Sequence, residues 1–159
     1  MSDIVITLWF DGQAEEAADF YCSVFPDAEI AGTMRNTASS PGVAGEDVTV
    51  DFTLLGQSFV ALNGGPQFTF SEAISLRVPC ADQEEVDHYW SALTDGGEES
   101  MCGWLKDRYG VSWQVVPTEL HALIGDPDPE RADRAVAAML QMRKIDLPAL
   151  RRAADGDAG

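Results

Sequence analysis

Two segments of the chain, AEEAADFY at residues 14–21 and QEEVDHYW at residues 83–90, share one pattern and decide the fold. An offset of 69 residues aligns their Glu-Glu pairs and places aromatic residues at matching positions. Apolar residues recur in both at helical spacing, and acidic residues fill each first turn, where the helix dipole favours them. Each segment follows an apolar run, residues 4–10 and 73–79, that predicts a strand. The pattern therefore indicates a duplicated strand–helix unit.

A second match lies further along each half. GQSFV at residues 56–60 resembles GVSWQ at residues 110–114, now at an offset of 54. In each, a turn glycine opens a strand, and another strand is predicted before it, at 48–55 and 104–108, which makes a hairpin. We attribute the shorter offset to a longer connection in the first half, where the small and polar residues 36–47 predict a mobile loop.

The predicted organisation is α+β, with a first βαβββ module at residues 1–70 and a second at 71–117. Neither half could bury both faces of its sheet alone, so the halves are expected to pack together. Residues 118–159 are predicted to form a helical extension, with Thr118 capping a short helix, Asp128 and Pro129 starting a longer one and a last helix near residue 146. The apolar stripe of the longer helix is Ala132, Ala135, Val136, Met139 and Met142 or Leu140.

Composition and charge narrow the class of protein. The 159 residues are 45% hydrophobic and 23% charged, without a run of about 20 apolar residues or a signal-peptide start, so a soluble cytoplasmic protein is expected. The net charge is −17, and residues 1–117 hold 19 acidic but only 4 basic residues. Such a surface argues against nucleic acid and anionic membranes as partners. The three widely spaced cysteines are interpreted as small hydrophobic residues.

Several motifs extend these observations into a family resemblance. They are LWFDG at 8–12, LNGGPQF at 62–68, CGWLKDRYG at 102–110, SWQVVP at 112–117 and DPDPER at 126–131. With them the chain resembles the PhnB-like group of the vicinal oxygen chelate superfamily, which includes glyoxalase I, bleomycin resistance proteins and extradiol dioxygenases. The resemblance implies that the two modules form a cupped mixed sheet followed by C-terminal helices. It also implies a homodimer, with modules pairing within or between chains.

The PhnB-like group is often labelled 3-demethylubiquinone-9 3-methyltransferase-like, and the residues argue against that activity. A nucleotide-like methyl donor usually binds a Rossmann-type sheet, at a Gly-rich turn between a strand and a helix. Here Gly64 and Gly65 lie in a loop beside Pro66, and no helix is predicted after them. We therefore reject the methyltransferase label.

The resemblance also implies a divalent metal bound by His, Glu or Gln from the first and last strands of each module. The predicted strands 4–10 and 73–79 hold no such residue, while 58–63 and 112–117 offer only Asn63 and Gln114. His88 falls on a helix, His121 lies beyond the last strand, and Gln67 stands where relatives often carry His. Because a chelating site needs three or four donors, we predict no metal and no other cofactor.

Strand alternation selects candidate ligand-binding residues instead. In the last strand, Ser112, Gln114 and Val116 are predicted to face the cup, and Gln114 matches the position of the family's last metal ligand. In the second module's first strand, Ala73, Ser75 and Arg77 are predicted to face away from the apolar residues of that strand, on the surface that we take to be the cup. An Arg77 guanidinium there could hold a carboxylate or phosphate, or it could form an ion pair at the sheet edge.

Two further residues complete the candidate site. Trp104 is either a stacking wall for a ligand or a core tryptophan, and Asp51 is either a pocket group or an outward-facing strand residue. We expect a metal-independent protein that binds a small, partly apolar molecule. The alternative is a lyase- or isomerase-type enzyme in which Gln114 and Asp51 transfer protons. No positioned acid–base pair is visible in the sequence, so binding is favoured and catalysis stays open.

Overall fold

The computed structural model describes residues 3–157 and has an α+β architecture with two mixed four-stranded sheets and helices at the C-terminus. The chain divides into two compact units, Met1–Phe70 and Ser71–Gly159. Within each unit the chain follows the order strand, helix and three strands, which confirms the predicted duplication. No helix in the described part of the chain is both long enough and apolar enough to cross a membrane.

The first unit is one βαβββ module. Its elements are β1 (Ile6–Phe10), α1 (Ala14–Val24), β2 (Glu29–Arg35), β3 (Asp47–Leu54) and β4 (Gln57–Asn63). The strand order is β1-β4-β3-β2, in which β1 runs parallel to β4 and the other pairs are antiparallel. A parallel pair needs a crossover between its strands, and α1 lies in that crossover.

Helix α1 covers one face of the first sheet and forms the core of the unit with it. Its fully buried Tyr21 stacks on Phe52 of β3, with ring centroids 6.0 Å apart, and Phe52 stacks on Phe59 of β4 at 5.2 Å. We call the opposite side the first open face. Because neighbouring residues of a strand point to opposite faces, Asp51 lies on the first open face beside buried Phe52.

The second unit repeats the module and adds the helical extension. Its elements are β5 (Leu76–Cys80), α2 (Gln83–Thr94), β6 (Glu98–Glu99), β7 (Trp104–Lys106), β8 (Ser112–Pro117), α3 (Leu120–Ile124), α4 (Pro129–Met139) and α5 (Leu147–Asp155). The order β5-β8-β7-β6, with β5 parallel to β8, is the same as in the first sheet. Helix α2 buries Val86, Tyr89, Trp90 and Leu93, which recur at helical spacing along the segment.

The two matched glycines are turn residues, as predicted. Gly56 and Gly110 have φ values of 79° and 85°, in the left-handed region that a glycine adopts without a Cβ clash.

The explanation of the shorter offset between the two matched hairpins was only partly right. Strands β2 and β3 have 7 and 8 residues, whereas β6 and β7 have 2 and 3, so shorter strands account for most of the difference. Residue 47, assigned to the loop, begins β3.

The extension follows the predicted boundaries with small corrections. Asp128 accepts the backbone N–H of Glu130 and Pro129 opens α4, as expected. Thr118 does not cap α3, which begins two residues later and has no side-chain cap. Leu140 is exposed, and it is Met142 that packs against the buried cluster of the extension. The cluster contains Val116, Leu120, Leu123, Ala135, Ile145, Leu147, Leu150 and Ala154.

The assignment of Val116 to an open ligand-facing surface was wrong. Val116 lies two residues after Gln114 on β8, so the two side chains point to the same side of the sheet. Val116 is nevertheless only 6% exposed, because it belongs to the cluster formed with the extension. The alternation pattern gives the side of the sheet and does not show what covers it. Only the residues of β8 before Val116 remain candidates for contact with a ligand.

Candidate functional site

The side of the second sheet opposite α2 carries the predicted site residues, and we call it the second open face. Arg77 of β5 is paired in register with Gln114 of β8, and Gln114 is paired in turn with Trp104 of β7. Directly opposite residues on neighbouring strands project to the same face, so these three form one row. Ser112 of β8 is paired with Lys106 of β7, and these two residues form the row beside it.

A chain of hydrogen bonds runs across the row of Arg77. The Arg77 guanidinium donates through Nη2 to Oε1 of Gln114 at 3.3 Å, and Nε2 of Gln114 donates to Oγ of Ser75 at 2.7 Å. Because the Arg77 guanidinium can only donate, the amide of Gln114 is oriented with its oxygen towards the guanidinium and its nitrogen towards Ser75. The structure therefore brings Ser75, Arg77 and Gln114 into direct contact, as a group, on the face that alternation selected.

His121 is a site residue that the sequence analysis missed. It was set aside because it lies beyond the last strand, but its Nε2 is 3.0 Å from Nη1 of Arg77. Since a guanidinium can only donate, Nε2 is the acceptor in this contact. The available signal was the short connection between Pro117 and the first residue of α3, which keeps that helix beside the end of β8.

The charge of Arg77 is not paired with a carboxylate among the described residues. Within residues 3–157, seven of the ten basic residues lie within 4.0 Å of a carboxylate, and Arg77 is one of the three that do not. Its side-chain partners are instead the amide of Gln114 and the imidazole of His121. The ion pair considered as an alternative role for Arg77 is therefore absent from the part of the chain that the structure describes.

A cavity of about 340 Å³ lies beside this row on the second unit. Its lining includes Trp104, Lys106, Ser112, Glu72 and Glu98. Lys106 forms an ion pair with Glu72, and the hydrogen bond from the ammonium lowers the pKa of the Glu72 carboxyl. Trp104 is half-buried and borders the cavity, so its ring contributes an apolar wall. This is the location that an aromatic contact with a ligand would need.

The Oγ of Ser112 has no hydrogen-bond partner among residues 3–157, although the residue is only 2% exposed. Ser112 is among the residues that line the same cavity, but its Oγ has almost no accessible surface. A buried hydroxyl without a partner costs about 1–3 kcal/mol, so native structures rarely leave one. Sequence reasoning could not separate Ser112 from the other residues of β8, because the lack of a hydrogen-bond partner depends on the surrounding atoms.

Asp51 and Asn63 belong to the first unit and differ in their surroundings. Asp51 is exposed on the first open face. Asn63 is engaged at both ends of its amide, since Oδ1 accepts the backbone N–H of Ala14 at 2.9 Å and Nδ2 donates to the carbonyl of Asp47 at 3.0 Å. Asn63 therefore satisfies a donor at the start of α1 and ties β4 to β3.

The donor set does not fit the divalent metal that the fold family implies. The two candidates from the strands are Asn63 and Gln114, and both amides are engaged in protein hydrogen bonds. Across residues 3–157, no three or more His, Cys, Asp or Glu side chains are grouped so that they could hold an ion. Amide oxygens without an anionic partner are also weak ligands for divalent ions.

The fold and this face define a class of protein, namely an α+β protein of two βαβββ modules with a polar open face. The chain belongs to the PhnB-like family described as 3-demethylubiquinone-9 3-methyltransferase, whose sequence profile matches residues 2–116. A structure described as a putative 3-demethylubiquinone-9 3-methyltransferase, PhnB protein, from Bacillus cereus is 37% identical. The match covers 74% of this chain and 100% of that chain with a TM-score of 0.67.

Two more distant structures also match the chain. A protein from Pseudomonas aeruginosa is 22% identical, with 74% of this chain and 98% of that chain covered and a TM-score of 0.58, which shows the fold alone. A glyoxalase/bleomycin resistance protein from Albidiferax ferrireducens is 14% identical over 69% of this chain and 92% of that chain, with a TM-score of 0.47. No curated protein shows significant similarity to the chain.

Proposed function

We propose that this protein binds a small organic acid without a metal ion, and that Arg77 on the second open face holds the acidic group. The observation that carries the proposal is the guanidinium of Arg77, whose side-chain partners among residues 3–157 are an amide and an imidazole and include no carboxylate. Gln114 and His121 both accept from it, so they orient the charge without cancelling it. A planar guanidinium held in this way suits a carboxylate or a phosphate.

The charge of the whole protein makes this local cation necessary. With a net charge of −17, the molecule repels anions in general, and the repulsion extends over roughly a Debye length, about 8 Å at physiological salt. An acidic ligand therefore needs direct contact with a cation. The Trp104 ring lies in the same row as Arg77, with Gln114 between them, and would pack against the apolar part of the ligand.

The residues support binding over methyl transfer. Neither sheet is the parallel, doubly wound sheet on which a nucleotide-like methyl donor usually binds. Gly64 and Gly65 follow β4, and no helix begins within the ten residues after them. Gly64 lies against the ring of Trp9, and the Gly65 carbonyl accepts the Trp9 indole N–H at 2.8 Å. These glycines are therefore occupied by packing within the first unit.

The residues of the second open face also support binding over a lyase- or isomerase-type reaction. Such a reaction needs a group that can gain and lose a proton at the reacting atom. The Gln114 amide is not such a group, and both of its ends are engaged. The Nε2 atom of His121 accepts a hydrogen bond from Arg77, which occupies the lone pair that a base would use.

The test is calorimetry of the whole chain with small carboxylates and inorganic phosphate. We expect Arg77→Ala to weaken binding of these acids by tenfold or more, because the charge-assisted hydrogen bonds are lost. Arg77→Lys should recover part of the affinity, since it keeps the charge and loses the planar geometry. Arg152→Ala removes another exposed arginine, which has no carboxylate partner in the described part of the chain, and it should leave binding unchanged. Equal binding of acids by wild type and Arg77→Ala would overturn the proposal.

A further inference from the structure

We propose that Gln114 determines which charge the second open face accepts, and that Ser75 is a positioning residue that acts through it. The neutral amide of Gln114 holds the Arg77 guanidinium and leaves its positive charge to an acidic ligand, whereas a carboxylate at position 114 would cancel that charge. This inference rests on the proposed function, because it assigns the residues that keep Arg77 available to the acid. It depends on two hydrogen bonds within the second unit.

Gln114 lies in the middle of its row. Its strand, β8, is paired with β5 on one side and with β7 on the other, and its register partners are Arg77 and Trp104. The backbone of Gln114 is therefore fixed on both sides, and the residue is half-buried. Arg77, in contrast, is exposed and lies on β5 at the edge of the sheet. Because an exposed arginine has many rotamers, the group that restrains it must itself be held in place.

Ser75 holds the amide of Gln114. Its Oγ accepts from Nε2 at 2.7 Å, while Oε1 at the other end of the amide accepts from Nη2 of Arg77 at 3.3 Å. Without the Ser75 hydroxyl, Nε2 loses its acceptor and the amide can turn about its last torsion, which would bring its N–H groups against the donors of the guanidinium. Ser75 thus acts on Arg77 through Gln114.

The charge at position 114 decides whether the site accepts an acid. Among residues 3–157 no carboxylate lies within 4.0 Å of Arg77, so its charge is not cancelled there. Glutamate has the shape of glutamine and keeps an acceptor oxygen for the guanidinium, but it would form an ion pair with Arg77. The same carboxylate would place a like charge beside an incoming acid, which costs affinity. An amide at this position therefore selects for acids, and a carboxylate would exclude them.

The experiment compares Gln114→Glu with Gln114→Met by calorimetry on the whole chain, with hexanoate and inorganic phosphate as probes. Glutamate keeps the acceptor and adds a charge, whereas methionine fills a similar space and removes both hydrogen bonds without adding a charge. We expect Gln114→Glu to weaken binding of the acids tenfold or more, as Arg77→Ala does, and Gln114→Met to weaken it only about threefold. A purely structural role of the amide would reverse this order, with methionine more damaging than glutamate.

Two further sets of variants control for net charge and test the role of Ser75. Gln141→Glu adds the same charge at an exposed position of the extension and should leave binding unchanged. Ser75→Ala should weaken binding about threefold in the wild type and have no further effect in the Gln114→Met background, where no amide is left to orient. Ser75→Thr keeps the hydroxyl and should recover most of the affinity that Ser75→Ala loses.

The outcomes separate this inference from the proposed function. If acids bind in an Arg77-dependent way and Gln114→Glu binds them as well as the wild type, the role of Gln114 is wrong and the acid site stands. An equal loss in Gln141→Glu and Gln114→Glu would assign the effect to net charge, with the same consequence. A further loss from Ser75→Ala in the Gln114→Met background would contradict the positioning role of Ser75. Absence of binding of both probes by the wild type contradicts the proposed function and this inference together.

Discussion

Asp107 is buried in the turn that joins β7 to β8, and it explains part of the family motif CGWLKDRYG. Its carboxylate accepts the backbone N–H groups of Tyr109 at 2.9 Å and Val111 at 3.1 Å, and the indole N–H of Trp113 at 2.8 Å. Only 2% of the residue is exposed. The acidic residue of this motif thus holds a turn and a core tryptophan together, and its role is structural.

We predict that Asp107→Ala lowers the free energy of unfolding by about 3 kcal/mol or more, because it leaves three donors without their acceptor. Asp107→Asn should cost less, since an amide keeps one of the two acceptor oxygens. Urea denaturation followed by tryptophan fluorescence measures both. Glu84→Gln, at an exposed position of α2, is the control and should change the stability by less than about 0.5 kcal/mol. Equal stability of Asp107→Ala and wild type would contradict this account.

Cys80 gives a second prediction at the scale of one residue. Its thiol is fully buried at the end of β5, and burial, with the nearby Glu85 carboxylate, raises its pKa to about 12. Because the thiolate is the reactive form, Cys80 should resist alkylation at pH 8 until the second unit unfolds. Cys22 is half-buried, and burial also raises its pKa, so it should react more slowly than a free thiol. Mass spectrometry after timed iodoacetamide labelling, with and without urea, identifies each site.

Rapid labelling of Cys80 in the native protein would contradict its burial.

The sequence had already suggested that the cysteines act as small hydrophobic residues, from their odd number and wide spacing. It did not rank them, because the pKa of a thiol depends on the surrounding protein and not on neighbours in the sequence.

In the candidate site too, some features could be predicted from the sequence and others depend on the surrounding protein. Arg77, Ser75 and Gln114 could be placed on one face from the sequence, because alternation along a strand is a local property. The contact of His121 with Arg77 could not, because it depends on how α3 packs after the last strand. The isolation of the Ser112 hydroxyl could not either, since it is a property of all surrounding atoms.

At the scale of elements, the loop after β4 shows how a short motif fixes the first unit. In the segment GGPQF the Gly65 carbonyl accepts the indole N–H of Trp9 at 2.8 Å, and Phe68 packs edge-on against the Trp9 ring at 4.9 Å. Gly64 approaches the same ring so closely that a Cβ built on it would lie 2.3 Å from ring carbons. The motif is therefore a packing surface for Trp9 of β1.

We predict that Gly64→Ala lowers the free energy of unfolding by about 1–3 kcal/mol, because the added methyl group displaces the Trp9 ring. Gly32→Ala is the matched control, since its Cβ would meet nothing within 4 Å, and we expect little change. In a Trp9→Ala background the cost of Gly64→Ala should largely disappear, which a double-mutant cycle measured by urea denaturation can show. An equal cost in both backgrounds would place the strain elsewhere in the loop.

Elements were more predictable than contacts for a physical reason. Helical and strand periods are written along the chain, so the repeated helices and the turn glycines Gly56 and Gly110 could be identified directly. Strand length could not, and the short β6 and β7 were mistaken for part of a difference in loop length. The length of a strand depends on its partner, and β6 has only two paired residues.

At the scale of the whole molecule, the extension connects the stability of the second unit to its candidate site. Residues 2–116 match the family profile, so the extension lies beyond the matched region. It is attached to the module by defined hydrogen bonds. The Gln83 side chain of α2 donates to the carbonyl of Ile145 at 3.0 Å and accepts the N–H of Leu147 at 2.7 Å, and Gly103 donates to the carbonyl of Arg143 at 2.8 Å.

The extension should therefore contribute both to stability and to ligand binding, and two variants separate the contributions. Leu150 is fully buried in the cluster with Val116, so Leu150→Ala should lower the free energy of unfolding by about 2–5 kcal/mol through the cavity it creates. Its affinity for acidic ligands should stay unchanged at temperatures where it is folded. His121→Ala removes an exposed side chain and should keep the stability, but it releases Arg77 from one of its two orienting partners.

We expect His121→Ala to weaken Arg77-dependent acid binding by about threefold to tenfold, because a guanidinium with one partner loses more freedom when the ligand binds. Urea denaturation and calorimetry on the same samples test both variants. The account fails if Leu150→Ala weakens binding while His121→Ala does not, since the extension would then act only through the stability of the fold. It also fails if His121→Ala binds acids more tightly, because the imidazole would then compete with the ligand for the guanidinium instead of orienting it.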